Sequence, residues 1–303
     1  MVSLFFLILG PVLAGIILGL AWWLIWGRKK RLPGGSVGAF SLVAGLLLVF
    51  GMVGVRLMGV APLWLPDVPN EFWRWFSDFR FAVPLALGTL GMVLLAFPVR
   101  ARSGRGSAEL TPRTPVSFAR GWWFVTPAVV LVLILIFTVT AGAASQPDPE
   151  TGHYTMYFVD LGGERGMGTS IYGWFYSVPS LIMIAIMIAI AIVNLALVAR
   201  PALNGNHERD VRIRTIRTRN VLAVATGALL LHLGLIFSSL AGTSSVRSSF
   251  SAGDGTVAFW TNFAALEPVL RGASVISVVF GFAFWAAVAL SAIPPRRVAT
   301  VSS

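Results

Sequence analysis

Residues 4–31, LFFLILGPVLAGIILGLAWWLIWGRKKR, decide the fold class of this chain. The stretch 4–26 carries no charged side chain, and a helix of that length, rising about 1.5 Å per residue, crosses a hydrocarbon core of about 30 Å. Three tryptophans close the run and four basic residues follow it, as in an interfacial aromatic belt before a cytoplasmic stop. Because the run has no basic start and no small-residue cleavage site, it predicts a retained anchor and not a cleaved signal peptide.

Six further apolar runs follow, and together the seven predict an all-α integral membrane protein that forms a single polytopic domain, 1–303. A soluble domain has about 25% charged residues, whereas this chain has 12% and is 56% hydrophobic, which excludes a soluble multidomain enzyme. The seven predicted transmembrane helices are 4–26, 37–60, 81–99, 122–143, 172–198, 220–242 and 272–293.

Placing alternate connections on alternate sides of the membrane separates the charges by sign. One side receives 17 Lys or Arg and 3 Asp or Glu, and the other receives 6 and 9, so net charges of +14 and −3 face each other. Since basic loops resist translocation, we expect the N-terminus outside and the C-terminus in the cytoplasm. Basic residues beside spans also contact anionic lipid headgroups, so the net charge of +11 does not call for a nucleic-acid partner.

The outer connections, 61–80, 144–171 and 243–271, are expected to hold most of the folded material outside the bilayer. The first predicts a short interfacial helix over 69–80, because its aromatic side chains recur at helical spacing on one side. In the second, 153–161 alternates like a strand and is followed by Gly162-Gly163. The third is rich in Ser and Gly, and we expect coil that leads into a short helix near 257–267.

Two sets of residues are candidates for contact with lipid or with a partner. The inner connection 207–219 is expected to extend the sixth span as a basic amphipathic helix at the headgroups. The outer candidates are the aromatic residues Phe72, Trp73, Trp75, Phe76 and Phe79, and the inner candidates are Arg212, Arg214, Arg217 and Arg219.

His232 is the only ionisable residue well inside a predicted span, and such residues are costly and often functional. It could bind a haem or a quinone or carry protons, or it could be a neutral imidazole bonded to Asn194, Ser238 or a backbone carbonyl. A bis-histidine haem is disfavoured because His153 and His207 lie in loops on opposite sides. No carboxylate and no lysine lies near a span centre, which argues against ion-coupled transporters and retinal proteins.

The remaining motifs point to structure. There is no cysteine, which excludes disulfides and thiolate metal sites. The outer carboxylates fit no known metal-ion signature, and no serine has a nucleophile elbow, so we expect no metal, no cofactor and no catalytic residue. Gly15-x-x-x-Gly19 is typical of close helix packing, Asn194 of contact between helices, and Glu267 is expected to pair with Arg271.

Three functions stay open at this stage. The first is a non-catalytic accessory, assembly or scaffolding subunit of a larger complex, with other integral membrane subunits and membrane lipids as partners. The second is a carrier for a lipid or an uncharged apolar solute, which predicts a lateral cavity lined by aromatics. The third is a quinone- or haem-linked redox protein that uses His232. The Arg-rich, Ala- and Gly-rich composition suggests the cytoplasmic membrane of a bacterium.

Overall fold

The computed structural model describes residues 2–27, 32, 35–59, 68–97, 118, 121–160, 166–199, 207–252 and 255–293. Eight α-helices lie in these ranges: α1 Val2–Ile25, α2 Ser36–Met58, α3 Asn70–Phe79, α4 Val83–Ala96, α5 Trp122–Ala144, α6 Trp174–Ala199, α7 His207–Ser244 and α8 Glu267–Ser291. Five short strands join them: β1 Gln146–Pro147, β2 Tyr154–Asp160, β3 Gly166–Ser170, β4 Arg247–Ala252 and β5 Gly255–Trp260.

Six of these helices, α1, α2, α5, α6, α7 and α8, are long and apolar enough to cross a membrane. Helices α3 and α4 pass the same test only as a pair, and they are bent by 74° relative to each other. The prediction of a multi-pass helical membrane protein is confirmed, whereas a count of seven depends on how the bent pair is treated. The predicted helical extension 207–219 is also confirmed, because α7 begins at His207.

Helix α7 forms the centre of the bundle. In its apolar 18-residue window, 83% of the residues are buried, against 17% to 39% in the corresponding windows of the other five candidate spans. It packs against α4, α5, α6 and α8, while α8 in turn contacts α1 and α2. The fully buried side chains of Trp285, Phe282 and Leu231 fill the α7–α8 interface region. The exposed positions of the helices around α7 are largely apolar as well, as expected for a bundle that lies in hydrocarbon.

Small residues let the helices of this bundle approach closely. A Cβ atom added at Gly19 would lie 2.9 Å from the carbonyl oxygen of Ala283 in α8, and one at Gly15 would lie 2.7 Å from the Cβ of Phe282. The Gly15-x-x-x-Gly19 motif therefore packs α1 onto α8 within this chain.

The connections on the outer side form two small antiparallel sheets. Strands β1, β2 and β3 form one sheet in that order, with Tyr157 opposite Thr169, so the predicted strand at 153–161 is confirmed; Gly162-Gly163 lies outside the described residues. The expectation of coil in the third connection is wrong, because β4 and β5 form a hairpin there. In β4 only Ser249-Phe250-Ser251-Ala252 alternates polar and apolar residues, and β5 does not alternate, so this Ser- and Gly-rich segment gives a weak strand signal. In place of a helix over 257–267 there is one 3₁₀ turn, Ala264–Leu266, before α8.

Candidate functional site

His232 is fully buried in α7, and both of its ring nitrogens have partners within the protein. Nδ1 lies 2.8 Å from the carbonyl oxygen of Phe81, in the bend before α4, and therefore carries the proton, since a carbonyl can only accept. Nε2 lies 3.4 Å from the hydroxyl of Tyr172. Of the partners predicted from the sequence, a backbone carbonyl is the one that the structure provides.

Tyr172 lies two residues before the start of α6 and is completely buried. Its hydroxyl can donate to Nε2 of His232, which carries no proton in the neutral ring when Nδ1 is protonated. The ring of Phe81 packs on Tyr172 with centroids 4.7 Å apart. His232 therefore lies in a packed polar contact that joins α7 to the α3–α4 bend and to the start of α6.

Two further side chains bond to carbonyl groups near the other end of α4. Asn194 of α6 donates to the carbonyl of Met92 at 3.1 Å, which confirms its predicted role between helices. Arg217 of α7 donates to the carbonyls of Leu95 and Ala96 at 3.2 and 3.4 Å. The Arg217 contacts satisfy acceptors that the end of α4 leaves without an intrahelical donor.

The four candidate arginines on α7 have different surroundings. Arg212 is exposed, whereas Arg214 is 5% exposed and forms a 2.7 Å ion pair with the buried Asp210. Arg214 also donates to the carbonyl of Val198, at the end of α6. The Arg214 side chain thus faces protein. Contact of the four arginines with lipid or a partner stays a prediction, and Arg212 is the most exposed position for it.

The predicted interfacial helix exists as α3, and it buries no side chain. Phe72, Trp75 and Phe79 are exposed, and their rings form a continuous stripe with centroids 6.4 and 5.6 Å apart. Trp73 and Phe76, which are not part of this exposed stripe, are half-buried. The structure therefore gives α3 an open aromatic face, and what lies against this face stays a prediction.

The feature of the bundle best suited to hold a ligand is a cavity of about 230 Å³ in the half that carries the basic connections. It lies between the end of α1 and the start of α5, with α7 and α8 behind it. Its lining residues are Leu18, Gly19, Trp22, Trp23, Gly27, Trp122, Trp123, Ile216, Arg219, Asn220, Ala223, Phe280, Ala283, Phe284, Ala287, Val288 and Ser291.

The cavity has an apolar side and a polar end. Among its lining residues, which all belong to the described part of the chain, Arg219 alone carries a formal charge. The Arg219 guanidinium lies 4.6 Å from the ring centroid of Trp123 and 5.7 Å from that of Trp22, within the range of cation–π contact. Beside it, Asn220 donates to the hydroxyl of Ser291 at 2.9 Å.

Close to the polar end of the cavity, the backbone N–H of Leu32 donates to the carbonyl of Ser291 at 3.0 Å, and Leu32 is fully buried. Three large apolar side chains that line the cavity are also exposed: Leu18 at 39%, Phe280 at 47% and Trp122 at 55%. The cavity therefore reaches the side surface of the bundle on which these residues lie. Two partial signals for this site are present in the sequence: the tryptophans of the first predicted span and the small residues of the last.

Comparison of the chain with protein-family models, with curated proteins and with solved structures finds no match.

Proposed function

We propose that this chain is a non-catalytic membrane protein that binds a lipid, or a similar apolar molecule, in the lateral cavity between α1 and α5. The observation that carries the proposal is this cavity, with tryptophan and phenylalanine walls and an opening between Leu18 and Phe280. Ligand sites are concave, mostly apolar and equipped with a few polar groups, and the cavity has each of these properties. At about 230 Å³ it suits one chain or part of a chain better than a whole two-chain lipid.

Mass spectrometry of the intact protein tests lipid binding. The wild-type chain, purified in mild detergent, is expected to retain lipid that Ala287→Phe loses, because the larger side chain fills the cavity. Leu18→Trp is a second blocking variant. Ile276→Phe is the matched control, since Ile276 is 58% exposed on the same helix and does not line the cavity. Equal lipid retention by the wild type and both blocking variants would contradict the proposal.

We further propose seven spans with the N-terminus outside, in the cytoplasmic membrane of a bacterium. In support, the cavity and the basic connections share one end of the bundle, and the two sheets lie at the other end with α3. Because the chain has no cysteine, single cysteines give a clean background for labelling with an impermeant maleimide. Thr151→Cys is expected to react in whole cells and Arg212→Cys only after lysis; the reverse result would invert the topology.

A second candidate function, an accessory subunit of a larger complex, is favoured by the exposed aromatic face of α3. Phe72, Trp75 and Phe79 lie on the outer side, where another integral membrane subunit could cover them. Crosslinking from a photoreactive residue at position 75, in place of Trp75, tests this role. The same photoreactive residue at position 71 is the control, because Glu71 is exposed beside the aromatic stripe. A protein adduct of defined mass at Trp75 alone is expected, and lipid adducts at both positions would contradict it.

A further inference from the structure

We infer that the cavity prefers an anionic lipid, whose phosphate or carboxylate headgroup binds beside Arg219 while its chain lies against α1 and α8. This inference rests on the proposed lipid-binding function and narrows it to a class of ligand. Four features carry it: the charge of the cavity, the geometry of the guanidinium, the position of the polar end and the length of the apolar wall.

The charge and the polar groups of the cavity lie together. Arg219 supplies the positive charge, and the Asn220 amide and the Ser291 hydroxyl lie at the same end. The remaining wall is built from apolar and aromatic side chains and from glycine. A ligand that matches this distribution has one compact negative group and one long apolar part.

The guanidinium is held in a way that suits an oxyanion. Its central carbon lies 4.6 Å from the ring centroid of Trp123 and 5.7 Å from that of Trp22, so both indole rings contact the guanidinium. Planar N–H donors fit the oxygens of a phosphate or a carboxylate in pairs. The two tryptophans also fix the side chain, so less rotamer entropy is lost when the anion binds.

The polar end lies at the depth of the lipid headgroups. Helix α1 ends at Ile25, α5 begins at Trp122 and α8 ends at Ser291, so three helix ends surround Arg219 at one membrane surface. Tryptophans at this level are typical of the boundary between headgroups and hydrocarbon. A headgroup bound there needs no transfer into the membrane interior, because it stays at its usual depth.

The apolar wall has the length of one leaflet. The lining residues of α8 run from Phe280 to Ser291, which spans about 16 Å at a rise of about 1.5 Å per residue. Half of a hydrocarbon core of about 30 Å is nearly the same length. Gly19 and Ala283 leave room along this wall, where larger residues would fill the groove. One acyl chain can therefore follow the groove from Arg219 toward the midplane.

Competition among lipids with the same acyl chains tests the inference. Purified full-length protein is mixed with phosphatidylglycerol, phosphatidylcholine and diacylglycerol, and the bound fractions are measured by intact-protein mass spectrometry. We expect phosphatidylglycerol to bind about 10- to 100-fold more tightly than diacylglycerol, as for hydrogen bonds to charged groups. Palmitate in a fourth arm distinguishes a carboxylate headgroup from a phosphate. Displacement of phosphatidylglycerol by inorganic phosphate alone would overturn the assignment to a lipid.

Substitutions of Arg219 then test whether this residue causes the preference for an anionic lipid. Arg219→Gln is expected to remove the preference for phosphatidylglycerol, Arg219→Lys to keep part of it, and Arg74→Gln, exposed on α3 at the other end of the bundle, to leave it intact. If the wild type shows no preference, or Arg219→Gln keeps it, the inference is overturned. Loss of all lipids in Ala287→Phe together with no preference in the wild type would refute the headgroup assignment and leave the proposed function standing.

Discussion

Gly45 lies where α2 crosses α8, and a single methyl group added there tests how closely the two helices pack. The Cβ of Gly45→Ala would lie 2.5 Å from the backbone nitrogen of Ala289 and 2.6 Å from its Cβ. Both separations are about 1 Å shorter than the distance of about 3.5–4.0 Å at which such atoms pack favourably. Because the obstructing atoms belong to the backbone and first side-chain carbon of a buried residue, α2 and α8 have to move apart.

We expect Gly45→Ala to lower the free energy of unfolding by about 1–3 kcal/mol, the usual cost of overpacking. This loss exceeds the gain of up to about 1 kcal/mol that alanine brings over glycine in a helix interior. Gly54, further along α2, is the matched control, since nothing lies within 4 Å of the position of its added Cβ. Gly54→Ala is expected to keep the wild-type stability or raise it slightly, so the same substitution has opposite signs at the two positions.

Reversible unfolding in mixed micelles, titrated with dodecyl sulfate and followed by tryptophan fluorescence, measures both free energies. Thermal unfolding, followed by size-exclusion chromatography, supplies a second measure in detergent alone. If the two variants have equal stability, or if Gly45→Ala is as stable as the wild type, α2 and α8 do not approach as closely as described, and the packing argument is refuted.

Three further substitutions test the polar contacts of the bundle. Arg214→Gln is expected to lower the free energy of unfolding by about 3–5 kcal/mol in the same titration, because it removes the cation that pairs with a buried carboxylate. The control Arg212→Gln, at an exposed position, is expected to cost about 0.5 kcal/mol or less. Equal losses in the two variants would argue against a buried ion pair. His232→Leu is expected to cost about 1–3 kcal/mol and to leave the visible absorption spectrum of the purified protein unchanged, whereas loss of a visible band would favour a haem site. Asn194→Leu is expected to cost about 0.6–2 kcal/mol by loosening α6 from α4, with the lipid-facing Val193→Leu as its neutral control in thermal unfolding.

The sequence allowed the spans to be predicted because long apolar runs have few alternatives in a folded protein. The first predicted span, 4–26, corresponds to α1, Val2–Ile25, and the fifth, 172–198, to α6, Trp174–Ala199. The interfacial helix at 69–80 could also be predicted, because its aromatic residues repeat at helical spacing. The observed helix, α3, covers Asn70–Phe79. The prediction of coil for the third outer connection was wrong because serine and glycine give little β-strand signal. The hairpin is stabilised by strand pairing, which the composition does not show.

The cavity could not be predicted from the sequence, because it is made by residues distant in the chain. Trp22 and Trp123 are each accounted for by an interfacial belt, and Arg219 by a basic connection that orients the helix. Only the packing of α1 on α8 and of α5 on α7 brings the three side chains together, with 4.6 and 5.7 Å between the cation and the two ring centroids. A partial signal was present in the small residues of the last span, since Ala283 and Ala287 are four apart and so lie on one face of α8.

The role of His232 becomes clear from the length of α4. This helix has 14 residues and a length of about 21 Å, which is less than a hydrocarbon core of about 30 Å. When its Leu95 end lies at headgroup depth, its Phe81 end therefore lies inside the hydrocarbon core, where lipid offers no hydrogen-bond donor. His232 donates to the carbonyl of Phe81 at one end, and Arg217 donates to the carbonyls at the other. These two donors are 15 residues apart on α7, or about 22 Å, which matches the length of α4.

Helix α7 therefore carries donors that are spaced to fit the short helix α4, and these bonds give His232 and Arg217 a structural role. Another face of α7 carries a separate feature. Arg219 follows Arg217 by two residues, which is a rotation of about 200° around α7. The Arg217 guanidinium accordingly bonds to α4, while the Arg219 guanidinium lies near the rings of Trp22 and Trp123 and lines the cavity. Packing against α4 therefore leaves the cavity side of α7 to Arg219, and this is where the inferred anionic headgroup would bind.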